Sequence, residues 1–268
     1  MTTKPADNNG DGRRITIATT MFTDNLLIAE TIVRAGADAI LFDMQHGFIA
    51  PNSLPALCQL VKSLDATPMV RVPSAESSLV ASALDAGALH IICPTVESSE
   101  QAGAFVSACF FPPLGRRSFG PARPFVYGNP AHYVDDAGAM VKPIVMIESV
   151  AGMAHVEAIA ETPGIAGLLI GPADLAGTHG HRFALEQDSS EIQEMHERIV
   201  AAARMHDVMV GTFVASPQHA RQQAYLEFDF VMAGADLMNI GASIESTTRD
   251  VADVFGRSHQ DPKPSRSY

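Results

Sequence analysis

Ionisable side chains stand at the ends of two apolar segments of the sequence. Asp43 and His46 lie at the end of AILFDMQHG (39–47), and Arg71 lies in TPMVRVP (67–73). Burying such groups in an apolar core costs free energy unless they are ion-paired, bound to a metal or hydrated. A carboxylate three residues before a histidine is able to orient the imidazole and leave its other nitrogen free as a base near neutral pH. The alternative is a histidine with a purely structural role.

Two further acids end later apolar segments, Glu148 in KPIVMIES (142–149) and Asp174 in AGLLIGPADL (166–175). Their matching positions allow the two carboxylates to converge, and a hard cation would relieve their repulsion. Two carboxylates with waters and substrate oxygens suit Mg²⁺ or Mn²⁺, with Co²⁺ or Zn²⁺ as alternatives. Taken singly, Asp174 could instead cap the next helix and Glu148 could pair with a cation. Together the two acids favour a divalent metal site.

Groups suited to an anionic substrate accompany these acids. The guanidinium of Arg71 matches a carboxylate or a developing enolate oxygen, although a structural ion pair would explain it as well. The run Gly171, Pro172 and Ala173 exposes backbone at a predicted helix start, where a substrate carboxylate can bind. Asp85, in LDAGA, is either a second carboxylate of the site or a helix-end residue without a catalytic role.

The elements that position these residues alternate along the chain. Short apolar segments rich in β-branched residues are separated by segments of helical periodicity, such as NLLIAETIVRAG and SLPALCQLVKSL. Nearly continuous apolar strands, each followed by a helix, require a parallel sheet covered by helices, and eight such units predict an α/β fold, a closed (β/α)₈ TIM barrel. A doubly wound open sheet is the alternative, but the first turn, TTMFTDN, has no glycine-rich phosphate motif. The predicted strands are 15–21, 39–47, 67–73, 89–96, 142–149, 166–175, 207–216 and 230–238.

A barrel of this kind collects its chemistry at the carboxyl ends of its strands. The four lysines of the chain lie elsewhere: Lys4 and Lys263 in the terminal segments, Lys62 in a helix, and Lys142 before the fifth strand at the opposite end. None is therefore expected to form a Schiff base with a substrate. Electrons released by bond cleavage would have to pass to an enolate stabilised by a metal.

Length and charge bound the other expectations. The 268 residues fit one barrel domain, 14–256, with flexible tails at 1–13 and 257–268. A net charge of −12 argues against nucleic acid and anionic membranes as partners. The sequence has neither a secretory signal nor an apolar run long enough to span a bilayer, so a cytoplasmic protein is expected.

The segment 97–141 is longer than one strand–helix unit needs and contains FPPLGRRSFGPARPFVYG. We expect a helix followed by an ordered loop over the catalytic face. Arg116, Arg117 and Arg123 of that loop either bind acidic groups of a substrate or order the loop.

The segments FDMQHG, VRVP, LDAGA, MIES and LIGPADLAGTHG together resemble the HpcH/HpaI aldolase and citrate lyase family, and within it the class II 2-oxo acid aldolases. The resemblance runs from about residue 16 to 245. Two positions depart from the family pattern: Gln45, where many members have Glu, and Met146, where many have Gln.

This resemblance implies a divalent-metal-dependent aldolase that forms or cleaves 4-hydroxy-2-oxo acids through a pyruvate enolate, with an aldehyde as second partner. It implies that His46 is the base and that Asp43 or Asp85 orients it. It also implies a hexamer, a trimer of dimers, whose C-terminal helices exchange between subunits. The remaining implied roles are a metal held by Glu148 and Asp174, an enolate-binding Arg71, and substrate contacts from the backbone of Gly171, Pro172 and Ala173.

Three alternatives stay open at this point. An oxaloacetate decarboxylase, or a lyase that cleaves CoA thioesters as citrate lyase does, would use the same enolate chemistry. Binding CoA would require cations near the barrel mouth, and only the arginines at 116–123 qualify. An alternative of another class is a non-catalytic barrel that binds a metabolite.

Overall fold

Eight parallel strands close into a barrel in which each strand pairs with the next and β8 pairs with β1. The computed structural model describes residues 14–120, 133–134, 138–187 and 189–256, so the two predicted tails lie outside it. The predicted (β/α)₈ TIM barrel is confirmed. The strands are β1 Thr16–Met21, β2 Ala39–Asp43, β3 Thr67–Arg71, β4 His90–Cys93, β5 Lys142–Ile147, β6 Gly167–Ile170, β7 Met209–Val214 and β8 Phe230–Ala235.

Helices follow the strands, and polar caps set several of their starts. The side chains of Asn25, Ser98, Ser149 and Ser216 each accept a backbone N–H from the first turn of the helix that follows. In the part of the chain that the structure describes, no helix is both long and apolar enough to cross a membrane. The helices are α1 Leu26–Arg34, α2 Leu54–Ser63, α3 Ser77–Asp85, α4 Ser99–Cys109, α5 Val150–Ala154, α6 Val156–Ala160, α7 Pro172–Thr178, α8 Ser190–Met205, α9 Pro217–Gln223 and α10 Asp236–Val254.

Both faces of the sheet are buried, which explains why its strands are almost continuously apolar. On β2, Leu41 packs inside the barrel, whereas its neighbours Ile40 and Phe42 pack outward against the helices. All three are fully buried, and each contributes roughly 1.5–3 kcal/mol relative to an exposed side chain. This packing fixes the strand ends, and therefore the site that they carry.

The segment after α4 lies at the amino-terminal end of the barrel, so its predicted position over the catalytic face is wrong for residues 110–119. The backbone N–H of Arg116 donates to Ser107 in the last turn of α4, and the Arg117 guanidinium pairs with Asp85, the last residue of α3. Helices of a βα unit run antiparallel to the strands, so the carboxyl ends of α3 and α4 face away from the catalytic end. Arg123 lies outside the described residues.

His90 begins β4 at the same amino-terminal end, beside Lys142 of β5. Its Nδ1 atom is buried and has no hydrogen-bond partner among the described residues. Burial, and then the charge of Lys142, lower the pKa of His90 from 6.5 to about 4. As the pH falls below 6.5, the unfolded chain therefore takes up a proton before the folded chain does, and the folded state loses stability.

Lowering the pH from 7 to 5 is expected to remove about 2 kcal/mol of folding stability through His90 alone. His90→Gln does not titrate, so its free energy of unfolding should fall less over this range. Urea unfolding of both proteins at the two pH values measures the difference. An identical pH dependence in the two proteins would show that His90 does not carry this effect.

Candidate active site

A cavity of about 340 Å³ opens at the carboxyl ends of the strands. Seven of the nine residues predicted for the site line it, because their segments all end at this face of the barrel. The other two, Asp43 and Asp85, lie beneath the cavity and at the opposite end of the barrel, respectively. The seven are His46, Arg71, Glu148, Gly171, Pro172, Ala173 and Asp174.

Arg71 and Asp43 form a buried ion pair beneath the cavity. They are register partners at the ends of β3 and β2. Nε and Nη2 of Arg71 donate to the two carboxylate oxygens of Asp43, at 2.9 and 2.5 Å. This two-pronged contact satisfies an aspartate that is 0% exposed and fixes the plane of the guanidinium. The third nitrogen, Nη1, contacts the Met146 sulfur at 3.7 Å and remains available to a ligand.

Asp43 holds the backbone that follows β2, whereas the sequence suggested that it orients the His46 ring. Its Oδ1 accepts the backbone N–H groups of Gln45 at 2.9 Å and His46 at 3.3 Å. A contact between this carboxylate and the imidazole is not among the hydrogen bonds of the described residues. The turn is so tight that a Cβ on Gly47 would lie 2.3 Å from the Asp43 carbonyl oxygen. His46 is thereby placed at the mouth of the cavity, where its side chain is exposed.

Asp85 does not line this cavity, so its predicted catalytic role has no support within one chain. It ends α3 and pairs with the buried guanidinium of Arg117, which also donates to the Tyr133 hydroxyl at 3.1 Å. The Arg117 guanidinium lies 4.6 Å from the centre of the Phe111 ring. Because LDAGA ends a helix, it lies at the opposite end of the barrel from His46. The structure therefore favours the helix-end interpretation of Asp85.

Glu148 is the buried acid of the site, and Asp174 is its exposed neighbour. Glu148 follows β5 and is 4% exposed, whereas Asp174 stands in the first turn of α7. Burial raises the pKa of Glu148, and the charge of Asp174 raises it further. The Thr95 N–H and the charge of Arg71 act in the opposite direction. The ionised form of Glu148 is therefore short of compensating positive charge.

Two residues hold the Glu148 carboxylate in place, and sequence reasoning did not identify this role for either. The backbone N–H of Thr95 donates to Oε1 at 2.7 Å. Thr95 has a φ of +50°, a left-handed conformation that costs a β-branched residue roughly 1–3 kcal/mol. The other oxygen lies against Gly171, where an added Cβ would lie 2.5 Å from Oε2. Gly171 was predicted as a substrate contact, but its lack of a side chain also makes room for Glu148.

The residues present fit a divalent cation bound by oxygen atoms. Among the described residues, no cluster of three or more His, Cys, Asp or Glu side chains is arranged to hold a metal. Two carboxylates, those of Glu148 and Asp174, line the cavity. A cation bound by these two alone would take its remaining ligands from water and substrate. Mg²⁺ is commonly bound in this way, and a cation would offset the burial and the repulsion from Asp174 that raise the pKa of Glu148.

Comparisons with known proteins show what the chain as a whole is similar to. A family model described as HpcH/HpaI aldolase/citrate lyase matches residues 21–242. The chain is 36% identical over 220 residues to the hydroxypyruvate/pyruvate aldolase of Paraburkholderia phytofirmans. This alignment covers 78% of the present chain and 83% of that protein. It is 32% identical over 237 residues to the 5-keto-4-deoxy-D-glucarate aldolase of Klebsiella pneumoniae, and that alignment covers 86% of the present chain and 88% of the relative. The structure also superposes on the crystal structure of an HpcH/HpaI aldolase/citrate lyase family protein from Burkholderia cenocepacia, with a TM-score of 0.83 and 29% sequence identity. The superposition covers 90% of the present chain and 96% of the other.

Gly171→Ala is expected to weaken Mn²⁺ binding at least about tenfold, because the new Cβ would displace the Glu148 carboxylate. Isothermal titration of the folded proteins measures this affinity. Gly103→Ala is the matched control, since an added Cβ there has no neighbour within 4 Å. Equal Mn²⁺ affinities in wild type and Gly171→Ala would exclude Glu148 as a ligand held by this contact.

Proposed function

The chain belongs to the HpcH/HpaI aldolase/citrate lyase family, and from that premise we propose that it is a divalent-metal-dependent aldolase, an aldehyde-lyase acting on 4-hydroxy-2-oxo acids. The products of cleavage are pyruvate and an aldehyde. One observation carries the proposal: Glu148, Asp174 and Arg71 line a single cavity at the catalytic end of the barrel. The described residues that line this cavity include no lysine, which supports a reaction without a Schiff base.

A divalent cation held by Glu148 and Asp174 would supply Lewis-acid stabilisation of the enolate. The chain's own contribution begins with Arg71, whose orientation is fixed by Asp43. Its Nη1 group exchanges the weak contact with the Met146 sulfur for a charge-assisted hydrogen bond to the 2-oxo oxygen. The backbone of Gly171, Pro172 and Ala173 lines the same cavity and receives the substrate carboxylate.

His46 is the proton-transfer group of the proposal. In the cleavage direction its imidazole removes the proton of the C4 hydroxyl, directly or through water, as the C3–C4 bond breaks. The electron pair of that bond forms the pyruvate enolate, and the aldehyde leaves. Protonation at C3 then gives pyruvate, and the reverse sequence is the aldol addition. The exposed position of His46 at the cavity mouth supports this role.

Two of the three alternatives named from the sequence, the CoA thioester lyase and the non-catalytic barrel, receive less support. A CoA thioester would need cations beside the mouth, but residues 116 and 117 lie at the other end of the barrel. An oxaloacetate decarboxylase would use the same enolate and differs only in the bond that breaks, so cleavage of a 4-hydroxy-2-oxo acid separates the two. A barrel without catalysis is less consistent with relatives that are named aldolases.

We also propose that the enzyme is a homo-oligomer, a hexamer in which α10 packs on a neighbouring subunit. Of the 19 residues of α10, only Asp236 is buried within one chain. The helix exposes the apolar side chains of Leu237, Ile240, Ile244 and Val251, which recur at helical spacing. Exposed apolar surface of this kind typically marks a protein–protein interface.

Chelation is expected to abolish cleavage of 4-hydroxy-2-oxopentanoate, and adding back Mg²⁺ or Mn²⁺ is expected to restore it. Glu148→Ala and Asp174→Ala should stay folded yet regain almost no turnover, because each loses one of two protein ligands. Pyruvate release in a coupled assay measures turnover, and circular dichroism checks the fold. Full activity in the chelated wild type would refute the metal-dependent mechanism.

His46→Ala and Arg71→Lys are expected to fail in different ways. His46→Ala should slow cleavage and leave Mn²⁺ and pyruvate affinity largely intact. Arg71→Lys should lose most of the hydrogen bonding to the enolate, up to about 3 kcal/mol or roughly a hundredfold in rate. Arg71→Ala would also leave Asp43 buried without its partner and destabilise the fold by about 3–5 kcal/mol, so lysine is the cleaner substitution. Wild-type turnover in either variant would show that the substituted residue has no catalytic role.

A further inference from the structure

We propose that the aldehyde partner carries an uncharged, apolar substituent, which binds in one half of the active-site cavity; this inference rests on the proposed aldolase function. That half, here called the apolar half, is formed by the ends of β1, β7 and β8, the start of α10 and the segment before α8. Its walls are Phe22, Leu185, Phe213, Val214, Met232 and Met238.

Most polar and apolar side chains of the cavity come from different strands, and the two groups meet where the Arg71 guanidinium lies 5.8 Å from the centre of the Phe213 ring. The groups proposed for catalysis follow β2, β3, β5 and β6, whereas the apolar half comes from the elements on the other side of the barrel. A 2-oxo acid bound to Arg71 and to a cation at Glu148 occupies the polar side. The aldehyde must therefore approach from the apolar half. The remaining polar side chains there, Thr20 and Asn239, carry no charge.

The distribution of charge disfavours an anionic aldehyde. Arg71 is the only arginine or lysine among the described residues that line the cavity, and Asp43 already occupies two of its nitrogens. A carboxylate or phosphate on the aldehyde would lose its hydration in the apolar half, where the described residues offer no counter-ion besides Arg71, which the 2-oxo acid engages. Of the three arginines that the sequence suggested for such a group, Arg116 and Arg117 lie at the other end of the barrel, where Arg117 pairs with Asp85.

The cavity also limits size. Its volume of about 340 Å³ is near the lower end of the range for small-molecule sites, and pyruvate shares it. An aldehyde of a few carbon atoms fits this space. The predicted product is therefore a 4-hydroxy-2-oxo acid with a short alkyl group beyond C4.

Two aldehydes of matched size test the inference. In 4-methylpentanal, an isopropyl group replaces the carboxylate of succinic semialdehyde without changing the number of non-hydrogen atoms. With pyruvate and Mn²⁺, kcat/KM for 4-methylpentanal is expected to exceed that for succinic semialdehyde at least about tenfold, because only the carboxylate pays for desolvation. Equal values, or a preference for succinic semialdehyde, would overturn the inference.

Leu185→Arg tests the location. Leu185 is half-buried in the apolar half, and an arginine there supplies the missing counter-ion. The preference for 4-methylpentanal is expected to shrink about tenfold, mainly through better use of succinic semialdehyde. Leu114→Arg adds the same charge at a side chain that is 72% exposed and outside the cavity, so its preference should equal that of wild type. An unchanged preference in Leu185→Arg would place the aldehyde substituent elsewhere.

Exchange of the pyruvate methyl protons with D₂O, followed by NMR without any aldehyde, separates the two levels of the proposal. If exchange occurs with Mn²⁺ but succinic semialdehyde is the better partner, the inferred aldehyde preference is refuted while the aldolase function is still supported. If neither exchange nor addition to either aldehyde occurs, both the aldolase function and the aldehyde preference are refuted. Exchange together with a preference for 4-methylpentanal supports both.

Discussion

The buried negative charge of Glu148 is the constraint around which the active site is organised. Burial and the nearby Asp174 both disfavour its ionised form. The Thr95 N–H, delivered from a left-handed backbone conformation, and the Arg71 guanidinium offset part of this cost. Arg71 in turn keeps its position because Asp43 binds two of its nitrogens. A divalent cation would supply the positive charge that these contacts leave missing.

Most of the fold and much of the site could be predicted from the sequence, because a parallel barrel places the end of every strand at one face. That rule correctly grouped His46, Arg71, Glu148 and Asp174 around one cavity. The same rule, applied to helices, would have placed Asp85 at the opposite end, since it ends α3. Thr95 could not be found in this way, because threonine favours extended backbone and nothing in the sequence signals its positive φ.

The two departures from the family pattern have structural consequences. Met146 places a polarisable sulfur 3.7 Å from Nη1 of Arg71, which is a weak contact that a substrate oxygen can replace. Gln45 contributes its backbone N–H to Asp43, a bond that is independent of the side chain. The proposed ligands and the Arg71–Asp43 pair do not depend on the side-chain type at either position. The fold and the enolate chemistry are thus separable from the cavity walls that select the aldehyde.

A crystal of the enzyme grown with Mn²⁺ and oxalate, a planar mimic of the pyruvate enolate, tests the proposed metal-stabilised enolate directly. Anomalous diffraction locates the metal without reference to activity. We predict one manganese peak within coordination distance of Glu148 and Asp174, with oxalate bound to it and within hydrogen-bond distance of Nη1 of Arg71. A manganese peak elsewhere in the chain, or oxalate bound away from Arg71 with no metal at Glu148, would contradict this mechanism.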